Sequence, residues 1–213
     1  MKKLDLKKQY KDLYNPGAKK VVVLKVPKLN YILVDGTIPP NIPVGDAPDY
    51  KNALETLYGL SYTLKFMLKL REKNPIDYPV MPLEGLWWTK GSTKDANVSR
   101  KQPWYFTAMI MQPKPVTAAL FTAARRQLAA KRKPAPAMLG KARFAAFEEG
   151  LCMQIMHIGP YSEEPATIAK MSAFALDNGY KVHDKHHEIY LGDPRRTAPA
   201  KLKTVLRHPI KKK

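Results

Sequence analysis

The chain has 213 residues, 45% hydrophobic and 9% aromatic, with a single cysteine, Cys152. That is enough apolar material for a self-sufficient core, which excludes a wholly disordered chain and one that depends on disulfides. Thirty-seven Lys and Arg against eighteen Asp and Glu give a formal charge of +19. An excess of that size points to polyanions. The cations, however, concentrate at both tails (Lys2 to Lys20, Lys201 to Lys213) and around Arg125, Arg126, Lys131, Arg132 and Lys133. Zinc-finger spacing, a helix-turn-helix and an aromatic-basic RNA pattern are all missing, so no specific nucleic-acid partner is expected. No apolar run reaches the ~18 residues of a membrane helix, and the basic start MKKLDLKKQYKDLY has no apolar core of a secretory signal. A cytoplasmic protein with no membrane partner is expected.

Residues 1–20 read as a charged arm with a short helical start, and 21–36 as two extended pieces split by Pro27. After the proline-rich turn 37–48, Asp49 to Arg71 reads as a long helix. Leu54, Leu57, Leu60, Leu64, Met67 and Leu68 recur at three- and four-residue spacing and mark a buried face. Tyr58, Tyr62 and Phe66 form a second row at four-residue spacing. That row is either covered as core or lines a cavity. Residues 78–90 and 103–113 read as strands around the polar loop GSTKDANVSRKQ, and 116–133 as an Ala-rich helix. Residues 131–142 mark the boundary between halves. A strand over the latter part of 142–159 is followed by a helix over 163–178. Ser162 is placed to cap it, Pro165 fits its first turn, and Asn178-Gly179 supplies a left-handed stop. Two strands, within 185–194 and 202–210, close the chain.

The halves share one order: strand, helix, strand, strand. The first runs 31–36, 49–71, 79–89 and 104–111. The second runs 151–158, 163–178, 185–192 and 202–208. The expectation is an α+β fold of two pseudo-symmetric strand-helix-strand-strand repeats, with antiparallel sheet around a central ligand cleft. As a single domain it divides into an arm (1–28), repeat one (about 29–113), a helical insert and linker (114–143) and repeat two (about 144–210).

Each repeat sets a glutamate in apolar company on its third element, Glu84 in LEGLWW and Glu188 in HEIYL. Strand alternation puts Glu84, Leu86 and Trp88 on one face with Trp87 on the other, and groups His186, Glu188 and Tyr190. On the neighbouring strand Trp104 and Phe106 share a face. A glutamate among such residues is paired in a salt bridge, exposed at an edge, or used as the acidic floor of an aromatic box. Such a box attracts flat or cationic molecules, and burial suits its carboxylate to acid–base work. His183, His186 and His187 do not make a metal site, because 183 and 187 lie roughly 13 Å apart on a strand and 186 and 187 face opposite ways. Without a GxSxG, a P-loop or a GxGxxG, no nucleotide cofactor is implied. Cys152 reads as a buried thiol.

Several segments together resemble the GyrI-like small-molecule-binding family: DLKKQYKDLY (5–14), Asp35-Gly36, PLEGLWW (82–88), HIGPYSEEP (157–165) and HEIYLGDPRRTAPAKLKTVLRHP (187–209). The resemblance runs over most of the chain and is strongest to stand-alone members. It implies two pseudo-symmetric repeats around a cleft, and Glu188 as the glutamate that receives the electron-poor part of a hydrophobic ligand. Repeat logic adds Glu84. A subset of the family hydrolyses the cyclopropyl ring of cyclopropanoid DNA alkylators within an aromatic cage. For that cage the matching residues are Trp88, Trp104 and Tyr190, with Tyr62 and Phe106 as further ligand contacts. Where the family has a glycine-rich turn after Asp-Gly, this chain has TIPPN (37–41), which alters the mouth of the cleft. The expected activity is hydrolytic detoxification, with Glu188 and Glu84 as catalytic candidates and no metal or cofactor. A non-catalytic multidrug-binding or sequestering module, or an inhibitor of a DNA-acting enzyme, is the alternative. The partners expected are small hydrophobic or cationic aromatic ligands, on a monomer or weak homodimer.

Overall fold

A computed structural model describes residues 1–90 and 101–213. Among the described residues the strands are β1 (Lys2–Lys3), β2 (Val22–Val26), β3 (Leu29–Ile38), β4 (Ile76–Asp77), β5 (Leu83–Thr89), β6 (Trp104–Gln112), β7 (Arg143–Phe147), β8 (Gly150–Ile158), β9 (Tyr180–Val182), β10 (His186–Tyr190) and β11 (Lys203–Lys212). The α-helices are α1 (Leu6–Gln9), α2 (Lys11–Tyr14), α3 (Pro48–Lys69), α4 (Ala118–Lys131) and α5 (Glu164–Asp177). The loop 91–102, read from the sequence as the tip of a hairpin, falls mostly outside the described residues, but the pairing of β5 with β6 on either side of it is antiparallel.

The main sheet has the order β2-β8-β11-β10-β5-β6-β3-β7, with β9 added to the end of β11. Its six central strands run β8-β11-β10 and then β5-β6-β3. The order within each repeat is therefore mirrored about the β10–β5 junction, and every pairing in the sheet is antiparallel. The α+β, two-repeat architecture expected from the sequence is the one the chain adopts. The one parallel pair described, β1 with β4, ties the arm to the segment after α3.

The ends of the sheet are forced together. Three Cα steps separate Val26 of β2 from Leu29 of β3, and three separate Phe147 of β7 from Gly150 of β8. Each link spans at most ~11 Å, although the strands it joins belong to opposite ends of the order. The sheet must therefore curl. The sequence ARFAAFEEG, read as a lead-in to one strand, is instead β7, a two-residue corner and the start of β8. Gly150 turns that corner at φ +73°.

Both long helices cover one face of the sheet. Ala53, Leu57, Leu60, Leu64 and Leu68 form the buried side of α3. Ser61 on that side receives a hydrogen bond from Gln112 Nε2 on β6. Ile168, Met171 and Ala175 of α5 pack on Met153, Ile155 and Leu206. Pro48 and Pro165 occupy first-turn positions, where a missing N–H costs nothing. Gly179, at φ +66°, ends α5 as expected. Ser162 does not cap α5. It lies inside the 3-10 turn Tyr161–Glu163, and no side chain caps the helix. Against α3, on its outer flank, lies α4, capped by Thr117 and set close at Gly59, where a Cβ would come within 3.0 Å of Leu128.

Candidate functional site

Register across the β10–β5 junction decides which side chains meet. Glu188 pairs with Gly85, Tyr190 with Leu83, His186 with Trp87, and Ile189 with Glu84. Cross-strand partners share a face, so Glu188, Tyr190 and His186 stand with Trp87 while Glu84 stands with Leu86, Trp88 and His187. On β6, Trp104 and Phe106 pair with Thr89 and Trp87, and therefore join Glu188.

The Glu188 face carries α3 and α5, and the gap between these helices over β10 and β5 is a cleft. Its walls include Tyr50, Leu54 and Tyr58 of α3, Trp87 and Trp104 of the sheet, and Tyr161 with Pro165 and Ile168 around the start of α5. Glu164, Glu188 and Tyr190 also line it, within a groove of about 1960 Å³. Trp87 is the hub of the aromatic wall. Its ring meets Tyr50, Trp104 and Phe106 at 5.7, 6.3 and 5.7 Å between centroids. Tyr161 meets Tyr190 edge-on at 5.8 Å.

A hydrogen-bond chain organises the floor. Trp87 Nε1–H donates to Tyr190 Oη at 3.0 Å, and Tyr190 O–H donates to Glu188 Oε2 at 2.7 Å. On the other side, His186 Nε2 lies 3.1 Å from Glu188 Oε1. Gly85, which pairs with Glu188, leaves room for this chain, because a Cβ there would come within 2.7 Å of the Trp87 indole nitrogen. Burial and then the charge of Glu188 raise the Tyr190 phenol well above its ordinary range, so it acts as a donor.

Beside Glu188 stands a second carboxyl that is not among the candidates read from the sequence. Glu164, the first residue of α5, is buried and has no hydrogen-bond partner for Oε1. Burial, then the charge of Glu188, push it up to about 9, with the Thr204 hydroxyl acting in the opposite sense. At neutral pH Glu164 is therefore a neutral carboxylic acid, set beside a Glu188 whose Oε2 accepts from Tyr190. A signal was present in the sequence, since SEEP places two acids at a helix start, but the strand that would face them was not legible.

The sequence candidates separate into two groups. Glu188, Tyr190 and Trp104 come together in the cleft, and Tyr62 lies on its outer rim. Phe106 is fully buried behind Trp87 and Tyr50. The row Tyr58, Tyr62, Phe66 is exposed by 37, 49 and 48%, so it lines the groove and is not core. Trp88 is on the opposite face, stacked on Tyr105 with Lys185 Nζ 3.7 Å from its ring. Trp87 stands in the cleft where Trp88 was expected. Glu84 is also on the opposite face and fully buried. It accepts a hydrogen bond from Tyr14 Oη at 2.6 Å and lies 3.0 Å from His187 Nε2. The other nitrogen of His187 is 2.9 Å from Glu149, which also binds Arg207 at 3.0 Å. Arg207 reaches on to Gln154 and to the Leu13 carbonyl. Burial opposes charge on His187, but Glu149 and Glu84 outweigh it and lift the imidazole to about 8. Likewise His187 and Arg207 overcome the effect of burial and hold Glu149 down at about 2. Two anions and two cations thus form a neutral, closed set that fastens the N-terminal arm to the seam of the sheet. Arg132, one of the cations lining the groove, pairs with Glu55 at 2.7 Å.

Comparison with known proteins gives this geometry a family. A crystal structure of an uncharacterized conserved protein from Listeria innocua is 36% identical over 98% of this chain and 100% of its own, with a TM-score of 0.85. A crystal structure of a hydrolase from Listeria innocua is likewise 36% identical over 98% and 100%, with a TM-score of 0.80. The EcmrR C-terminal domain shares the fold alone, at 11% identity and a TM-score of 0.52 over 91% and 98% of the two chains. A search of curated proteins found no match. The model of the GyrI-like small molecule binding domain matches residues 19–211, and the chain belongs to that family.

Proposed function

We propose that the protein is a hydrolase that opens the cyclopropyl ring of cyclopropanoid alkylating compounds bound in the aromatic cleft. The observation that carries this reading is the pair of carboxyls on the cleft floor, with Glu188 accepting from Tyr190, His186 close beside it, and Glu164 neutral. The hydrolase from Listeria innocua, 36% identical, supports the choice of reaction class. Trp87, Trp104, Tyr50 and Tyr161 hold the flat ligand by stacking and stabilise positive charge developing at its electrophilic carbon. Water bound beside Glu188 gives it a proton while the water oxygen bonds to the ring methylene. The ring C–C bond breaks, and its electron pair passes into the conjugated carbonyl. The oxyanion so formed takes a proton, for which neutral Glu164 is the donor within the cleft. The sum is addition of one water, and proton exchange between the two carboxyls restores the starting state.

The test is incubation with a spirocyclopropyl dienone. Loss of the dienone absorbance and a product one water heavier are expected, with kcat lowered by roughly 10²–10⁴ in Glu188→Gln. Saturable binding without that product would leave the non-catalytic binding module as the function. An unchanged rate in Glu188→Gln would place the chemistry elsewhere.

A further inference from the structure

Beneath the cleft the histidine beside Glu188, His186, has a second histidine behind it that nothing described so far uses. His186 and His208 are both almost fully buried, on neighbouring strands, with ring centroids 4.6 Å apart. His186 Nδ1 and His208 Nε2 are 2.7 Å apart, and His186 Nε2 faces Glu188 Oε1 at 3.1 Å. His208 Nδ1 is buried with no partner, and His186 Nε2 is close to Glu188 without the alignment of a hydrogen bond.

These distances constrain the protons. Burial, then the nearby His186, push His208 down to about 3, so it is neutral and carries one N–H. A nitrogen facing a carboxylate must carry a proton to be favourable there, which puts one on His186 Nε2. If His186 is neutral, its Nδ1 is a lone pair and accepts from His208 Nε2–H. The unpartnered His208 Nδ1 is then a bare acceptor. The other arrangement, with His186 cationic, places an unpaired N–H on His208 Nδ1 inside the protein, the costlier kind of orphan.

We propose that His186 and His208 are positioning residues for the Glu188 base: His208 fixes His186 in its Nε2–H form and so keeps a proton, rather than a lone pair, beside Oε1 of Glu188. The inference rests on the reading of Glu188 as a base. Tyr190 donates to Oε2 at 2.7 Å, and the Nε2 proton of His186 adds its positive end 3.1 Å from Oε1. The other ionisable groups around Glu188 are Glu164 of α5, Tyr50 of α3 and Tyr161 of the turn before α5. Its strand neighbours Gly85 and Leu206 contribute no ionisable side chain. From the opposite face Glu149 and His187 act on His208 in opposite senses, leaving burial and His186 dominant.

The pair is tested first by 15N imidazole NMR of the wild-type protein at pH 7, a measurement that does not depend on turnover. A bare Nδ1 and a protonated Nε2 on His186 are expected. Protonation at His186 Nδ1 would overturn the assignment even if the protein proved to be a hydrolase. The second test compares His208→Phe with His208→Gln, which keeps an N–H donor. In His208→Phe we expect kcat to fall about 10-fold, KM to hold, and the acid limb of the rate profile to rise by about one pH unit, as the proton kept beside the carboxylate is lost. His208→Gln should restore most of both effects. If the wild type shows no turnover, the same limb is read from the affinity for a flat aromatic cation such as ethidium. Equal losses in both variants with an unmoved limb would reduce the pair to a structural role.

Discussion

Replacing Glu164 by Gln should stabilise the protein at neutral pH and leave it unchanged in acid. The carboxyl is buried at the start of α5 with one oxygen unpartnered, and its folded-state value is pushed up to about 9 from an ordinary 4.5. Below pH 4.5 folded and unfolded chains both hold this proton, so there is no penalty. As the pH rises the unfolded chain releases it while the folded chain keeps it, and stability falls by about 1.4 kcal/mol per unit. By pH 7 the loss is about 3 kcal/mol, a figure that requires only that the folded-state value lie above 7. The loss stops growing above about pH 9. Gln fits the same space and has no proton to hold, so Glu164→Gln should recover up to about 3 kcal/mol at pH 7 and nothing at pH 4. For a chain of this length that is about 6–12 °C in Tm. Urea unfolding of both proteins at pH 4, 5.5 and 7 measures it. With Glu164 as the proton donor proposed above, turnover should fall as stability rises. A stability difference that stays constant between pH 4 and 7, or a variant less stable than wild type at pH 7, would refute the reasoning.

The charge set on the opposite face should behave in the contrary way. Glu149→Gln leaves buried His187 and Arg207 undercompensated and should cost about 3–5 kcal/mol in urea unfolding. The contribution of Glu149 is complete above pH 4.5 and is lost as the pH falls towards about 2. The contribution of His187, about 2 kcal/mol, is complete below pH 6.5 and is lost as the pH rises through about 8. Measured in the Glu164→Gln background, stability should rise by about 1.4 kcal/mol per unit between about pH 4.5 and 6.5, where the unfolded chain protonates His208 and the folded chain does not, and should peak near pH 6.5 before the loss from His187 sets in. Trp87→Phe removes the indole donor to Tyr190 and should weaken an aromatic cation about 5- to 10-fold by fluorescence titration, whereas Trp88→Phe should leave affinity within about two-fold. Gly85→Ala should reproduce the Trp87 effect without touching the indole's chemistry, since its Cβ displaces that ring.

Much of the fold was legible because its signals are local. The leucine row of α3, the proline and glycine that bound α5, and the repeated order of elements all depend on residues close in sequence. The features that escaped depend on pairing. β7 is a short run of small and aromatic residues that becomes a strand because β3 offers it an edge. The arm's helices are only four residues each, too short to persist alone. Leu13, Asp12 and Tyr14 hold them in place by giving Arg207, Gln154 and Glu84 their partners. Glu164 escaped for the same reason. A helix-start acid is ordinary until a carboxylate on a distant strand is set beside it.

The exchange of Trp88 for Trp87 follows from the same limit. Aligning the repeats on their glutamates matches Glu84 with Glu188, positions 104 apart, and an even offset predicts that both point the same way. The twofold of the sheet maps each face of β5 onto the same face of β10. Pairing Gly85 with Glu188 puts the odd-numbered residues of β5 on the face of the even-numbered residues of β10. Residues of β5 and β10 related by that twofold must therefore differ by an odd number, so the two glutamates are not related by it despite their like surroundings. A slip of one residue sends an entire strand to the other side of a sheet. It sends Glu188 with Trp87 to a ligand cleft and Glu84 with His187 to a buried charge set. Alternation within each strand was readable, and it correctly opposed Trp87 to Trp88. Which of the two tryptophans shares a room with Glu188 is a property of the β10–β5 register, and that register is set by contacts a hundred residues apart.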